Sequence, residues 1–283
     1  MTKKTVVAAQ AAVVVLLAMT LGCGKTDETA KVTEEKTAAE GKEYQPTGDE
    51  GTITGKVAFQ GQAPKFPAIS MDADAFCASK HSGKVFPDAV VVNDNGTLKN
   101  VFVYVKSGLE GKSFAVSDQP AVLDQKGCIY EPHVLGMQAG QNLRVVTSDN
   151  TTHNIHPMPK VNREWNVSQP PGADPIVRTF TRPEASIPVK CNQHPWMKAY
   201  IHVMGHPFYS VSGQDGAFLL KGLPPGKYEI EAVHEQFGAE TRQVTVPPKG
   251  STTSDFAYRV GQAYRPSSLP MMPALVLHCC AEE

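Results

Sequence analysis

The sequence predicts an all-β protein built from two sandwiches, on three observations. Short runs of alternating or β-branched residues recur from residue 51 onward, among them TITGKVAF (52–59), VFVYVKSG (101–108), NLRVVTSD (142–149), AYIHVM (199–204) and TRQVTVPP (241–248). Gly and Pro turn signals punctuate them, 23 and 22 in 283 residues. No stretch carries a 3.6-residue apolar period bracketed by capping residues.

The N-terminus is a targeting segment and not part of the fold. Lys3 and Lys4 lead a run, Val6 to Leu21, that is almost continuously apolar, broken by Gln10 and Thr20. A short apolar run ending in small residues reads as a secretory signal over residues 1–22. MTLGC (19–23) resembles the bacterial lipobox, with Thr20 where Leu is commoner. The resemblance implies cleavage before Cys23, lipidation of its sulfur, and an exported chain held at a membrane by its lipid. Gly24 after the cysteine favours the outer membrane. Residues 23–50 are charged and poor in large apolar groups, which predicts a disordered linker.

A formal net charge of −1 and no basic stretch interleaved with aromatics exclude nucleic acid as the expected partner. Export permits disulfides. Of six cysteines, Cys77 and Cys128 remain in the folded region once Cys23 and Cys191 are set aside, and they are the natural pair. A second metal or redox site built from Cys77, His81 and His133 stays open. Cys279 and Cys280, beside His278, fall in the expected tail (261–283) and are given no role.

The chemistry concentrates in CNQHPWM (191–197), where Cys191, His194 and Met197 stand at i, i+3 and i+6 just after a strand. A thiolate, an imidazole and a thioether converging from one loop suit a soft metal, copper above magnesium or calcium. VVTSDNTTHNIH (145–156) supplies a fourth donor, His153, at the end of a polar turn. His156, by strand alternation, reads as structural or solvated, and His202, opposite Ile201 on its strand, as solvated.

These two stretches, GQNLRVVTSDNTTHNIH (140–156) and VKCNQHPWMKAYIHV (189–203), resemble the cupredoxins, and most closely their amicyanin branch. The resemblance covers about residues 130–205. It implies a Greek-key β-sandwich with one type 1 copper. His153, Cys191 and His194 would be the in-plane ligands and Met197 the axial one. It also implies that Asn154 hydrogen-bonds the ligand loop. The ring edge of His194 would be exposed through an apolar patch that Pro157, Met158 and Pro159 extend. The activity implied is one-electron transfer between redox partner proteins, an electron carrier and not an enzyme.

Residues 213–258 resemble the carboxypeptidase regulatory-like (prealbumin-type) sandwich through the D-x-G turn before AF, the LPPG turn and YEIEA; GTITGKVAFQGQAP (51–64) resembles the opening strand of that family. The expected division is therefore an N-terminal strand segment (51–85) that joins one sandwich or the other, a cupredoxin-like copper domain (86–209) and a prealbumin-like domain (210–260). The competing function is a cell-surface module that binds carbohydrate or protein and keeps a structural or degenerate copper site.

Overall fold

The computed structural model describes residues 42–261 together with Arg265 and Ser267. The signal segment, Cys23, residues 24–41, His278, Cys279 and Cys280 lie outside the described residues. The fold is all-β apart from one short helix among the described residues, Ala75–Ser79.

In the first sandwich a five-stranded sheet runs, edge to edge, Val167–Gln169, His153–Pro157, Glu184–Lys190, Lys198–Met204 and Val134–Gln138. Facing it is a four-stranded sheet of Ile176–Thr179, Asn142–Thr147, Ala121–Lys126 and Ile129–Glu131. Alternation decides what turns inward. Ala121, Leu123 and Gln125 are buried on one strand, Leu143 and Val145 on its parallel neighbour. Ala121, Leu123, Leu143 and Val145 meet Ile155, Ile187, Val189, Ile201 and Val203 from the other sheet in one apolar cluster.

In the second sandwich one sheet is Tyr209–Val211, Phe102–Ser107, Gly226–His234 and Gly238–Val246. The other is centred on Gly51–Gln60. Ala217–Leu223 lies antiparallel on one edge; Ser251–Thr253 and then Phe256–Arg259 lie parallel on the other. The N-terminal strand thus pairs with three C-terminal ones.

Four expectations are corrected. Strand Phe102–Ser107, expected within the copper domain of 86–209, is hydrogen-bonded between Tyr209–Val211 and Gly226–His234. Val101, Val103 and Val105 enter the second sandwich's core, while Phe102 and Tyr104 on its opposite face are also fully buried, in a cluster with Val134 and Met204 of the first sandwich. A strand covered on both faces reads as an uninterrupted apolar run and does not reveal which sheet owns it.

The linker is ordered from Lys42. Lys42–Glu43 pairs with Lys112–Ser113, the Tyr44 ring lies 5.8 Å from that of Phe114, and Glu50 accepts hydrogen bonds from the backbone N–H groups of Thr47 and Gly48. At the other end, Arg265 and Ser267 of the expected tail are also placed: Ala239 N–H donates to the Arg265 carbonyl, and the Ser267 hydroxyl donates to Glu231. Finally, His202 is buried and not solvated, because the face it shares is covered by the second sandwich; its ring stacks on Phe102 at 4.0 Å between centroids.

Candidate metal centre

The loop 191–197 joins two neighbouring antiparallel strands, Glu184–Lys190 and Lys198–Met204. Cys191 N–H donates to the Met197 carbonyl (3.2 Å) and Met197 N–H to the His194 carbonyl (2.9 Å), so the loop closes on itself and folds its side chains inward. His194 N–H also points at the Cys191 sulfur, 3.4 Å away. Cys191, His194 and Met197 are buried, while Asn192, Gln193 and Pro195 between them are exposed.

His153 opens strand His153–Pro157 on the adjacent position of the same sheet, and is fully buried. Its Nδ1 lies 2.9 Å from Nδ1 of His194, and Nδ1 of His194 lies 3.7 Å from the Cys191 sulfur. One ligand atom from each of His153, Cys191 and His194 lies within 4.8 Å of the others. Met197, fully buried at the far end of the loop, shares a core cluster with Cys191. Next to His153, the Asn154 carboxamide oxygen accepts from Asn192 N–H (2.6 Å), and its amide nitrogen donates to Asn166 (2.8 Å). One side chain thereby ties the ligand loop to the strand that carries His153.

The outer edges of both imidazoles are occupied. Nε2 of His153 meets Asp149 Oδ2 at 2.9 Å; Nε2 of His194 meets Asp74 Oδ2 at 3.2 Å. A ring whose Nε2–H donates to a carboxylate offers a bare lone pair at Nδ1. Two such lone pairs facing each other at 2.9 Å in a buried pocket, beside a thiol, repel one another unless a cation or a proton lies between them. The donor set therefore fits a metal ion, and its sulfur and imidazole character fits copper. Burial lowers the His153 pKa, against the pull of Asp149. Asp74 is held below the usual carboxylate range, first by Cys77 N–H and also by His194.

His194 is only 4% exposed, which corrects the expectation of an open ring edge. Its cover is the helix Ala75–Ser79, capped by Asp74 and fastened by the Cys77–Cys128 disulfide (S–S 2.06 Å). Trp196 leans on the ring from the loop side, centroids 5.1 Å apart, and donates its indole N–H to the Cys128 carbonyl. Pro157 is likewise buried, so it extends no surface patch.

With Cys77 in a disulfide, no second site forms from Cys77, His81 and His133. His81 bonds the Gly127 carbonyl (2.7 Å), and His133 pairs with Glu235 (2.8 Å). His156 contacts Glu164 at 2.5 Å on the outer side of its strand. The sequence reading missed Asp74 and Asp149. Asp149 stands four residues before His153 in a polar turn, which is a faint signal; Asp74 is distant in sequence from its partner and gives none.

No family model matches the chain, and no curated protein does. Several solved structures are similar to part of it. A Cu-containing nitrite reductase from Thermus scotoductus SA-01 is 23% identical at a TM-score of 0.27, over 31% of this chain and 23% of that one. A purple cupredoxin from Nitrosopumilus maritimus is 18% identical at 0.26, over 29% of this chain and 98% of that one. A Cu(I) mutant of amicyanin is 23% identical at 0.27, over 36% of this chain and 97% of that one.

Proposed function

We propose that this chain is an exported copper protein that carries single electrons through a type 1 site, which His153, Cys191, His194 and Met197 would hold. One observation carries the reading: the Nδ1 atoms of His153 and His194 and the Cys191 sulfur face one buried point. When bound, copper supplies a one-electron Cu(II)/Cu(I) couple. The chain would take one electron from a reduced partner protein and hand it to an oxidised one, with no bond made or broken.

The chain's own residues keep that exchange simple. The closed loop and the Asn154 bridge hold the donors where they are, so little moves when the charge changes. Four protein donors leave no position for substrate, which favours a carrier over an enzyme. Burial keeps water from the thiolate. The disulfide suits an oxidising compartment outside the cytoplasm, in keeping with the signal segment, lipidated Cys23 and an anchor in the outer membrane. In this reading the second sandwich is a prealbumin-like module that presents the copper domain; carbohydrate is the ligand class tested on it.

The test is an optical and electron paramagnetic resonance titration of the purified full chain with Cu(II), beside Cys191→Ser. An intense thiolate-to-copper band with narrow hyperfine splitting, lost in the variant, is expected. A folded chain without that band overturns the copper reading. Glycan binding indifferent to Cys191→Ser would then put the cell-surface module first.

A further inference from the structure

Both candidate ligand histidines are held from behind by a carboxylate, and the two carboxylates share one brace. Asp74 Oδ2 takes Nε2 of His194, while its Oδ1 accepts Cys77 N–H at 3.0 Å. Asp149 Oδ2 takes Nε2 of His153 and also accepts Cys128 N–H at 2.7 Å; its Oδ1 accepts Gly127 N–H at 2.7 Å. Cys77 and Cys128 are bonded to each other. The contacts therefore close a ring: donor site, His194, Asp74, disulfide, Asp149, His153, donor site.

We propose that Asp74 and Asp149 are a matched pair of positioning residues that set the reduction potential of the bound copper, with the Cys77–Cys128 disulfide as their common brace. This rests on the copper reading above. The physical argument is direct. A carboxylate accepting Nε2–H makes the imidazole a stronger donor at Nδ1, and a stronger donor favours the more highly charged metal. With both imidazoles so held, Cu(II) is favoured over Cu(I) twice, and the potential is lower than with histidines that face water.

The backbone geometry fixes the two carboxylates for this role. Asp74 is a helix N-cap, so its side chain is pinned by Cys77 N–H, and Thr151 adds a hydroxyl at 3.2 Å. Asp149 accepts from two consecutive N–H groups, and the second belongs to Cys128, which adopts φ +56°. Neither carboxylate can turn away from its histidine without breaking a bond to a residue of the brace or its neighbour.

The experiment is a spectroelectrochemical titration of the copper-loaded full chain, with Asp74→Asn, Asp149→Asn and Asp72→Asn compared to wild type. Asn caps a helix about as well as Asp, so Asp74→Asn keeps the Cys77 bond at Oδ1 while removing the carboxylate's hold on His194 and turning the Thr151 contact into one that Asn donates. Asp72 is exposed and bonds Ser70, so Asp72→Asn loses the same charge nearby without touching a histidine. Asp74→Asn is expected to shift the Cu(II)/Cu(I) equilibrium about tenfold toward Cu(I), about 59 mV for a one-electron couple, and Asp72→Asn less than a third of that. Asp149→Asn is expected to shift it in the same direction.

A wild-type blue-copper band, with Asp74→Asn moving the potential no more than Asp72→Asn does, overturns this proposal and leaves the copper reading standing. A wild-type chain with no such band overturns both. Proton exchange of the His194 ring N–H in the metal-free chain gives an independent check. It is expected to be slow in wild type and at least tenfold faster in Asp74→Asn; equal rates overturn the positioning role of Asp74.

Discussion

The sulfur of Cys77 lies 3.7 Å from Nε2 of His194, so a disulfide rests against the outer edge of an imidazole whose other nitrogen faces the donor site. The sequence leads one to expect an open edge at this place. Here Asp74, the half-cystine and Trp196 close it, and the open surface beside the loop is made by Asn192, Gln193 and Pro195 instead. In the proposed carrier, a partner approaching this end would meet the loop's backbone and the half-buried Trp196, which leans on His194.

Removing the brace loosens the site from outside. The disulfide joins residues 51 apart, and loss of such a link costs about 2–5 kcal/mol. Paired Cys77→Ser and Cys128→Ser substitutions are expected to lower the urea midpoint accordingly. Alkylation of the buried Cys191 thiol in the metal-free chain should also accelerate, since the cover over His194 is no longer fastened. An unchanged alkylation rate would show that the helix Ala75–Ser79 stays down without its bond.

Asn154 is the internal tie. Asn154→Leu keeps the volume but leaves Asn192 N–H and the Asn166 carboxamide without their partner. The expected cost is about 1–3 kcal/mol in chemical unfolding. In the copper-loaded chain the electron paramagnetic resonance lines are expected to broaden as the loop samples more than one geometry. A shifted midpoint with unchanged lines would limit Asn154 to a stabilising role.

What the sequence reveals of this molecule follows from how local each feature is. The ligand loop is legible because Cys191, His194 and Met197 fall in one stretch after a strand, and His153 because it follows a polar turn. The cover is not legible: 69–85 has no period, and Asp74 meets His194 only because the chain folds back on itself across 120 residues. His202 fails for the complementary reason. Alternation places it on the outer face of its strand correctly, but Phe102 from the other sandwich turns that face into interior. Strand Phe102–Ser107 hides its allegiance because both of its faces are covered.

The contact between the sandwiches is tight at Gly136. A methyl group there would come within 2.6 Å of Tyr209 and 2.7 Å of Phe102, both aromatic rings held in the shared cluster. Gly136→Ala is expected to cost about 1–3 kcal/mol through overpacking. Gly83→Ala is the control, because nothing lies within 4 Å of its added methyl. Thermal unfolding of the two variants side by side checks this; equal melting temperatures would mean that the rings yield freely.

Acid is expected to unfold the protein through its buried histidines before its carboxylates matter. Burial pushes His202 down to about 3 and His234 down to about 4, and both are almost fully buried. Ser186 N–H donates to Nδ1 of His202, and Gln236 N–H to Nδ1 of His234, so neither nitrogen is free to take a proton in the fold. Glu235 favours the charged form of His234 and His133 opposes it, both weaker than burial. The unfolded chain protonates near 6.5, so below that pH it binds more protons than the native state. Stability is therefore greatest above pH 6.5 and falls as pH drops, by up to about 1.4 kcal/mol per pH unit for each histidine. Asp74, whose pKa is lowered, contributes its own loss only as pH falls through the lower carboxylate range, so the window from 6.5 to 4.5 reports the histidines. Urea unfolding of the metal-free chain across that window is the measurement. His202→Asn, which keeps an acceptor for Ser186, is expected to reduce the slope by one histidine's share. An unchanged slope would mean that His202 takes up its proton without unfolding.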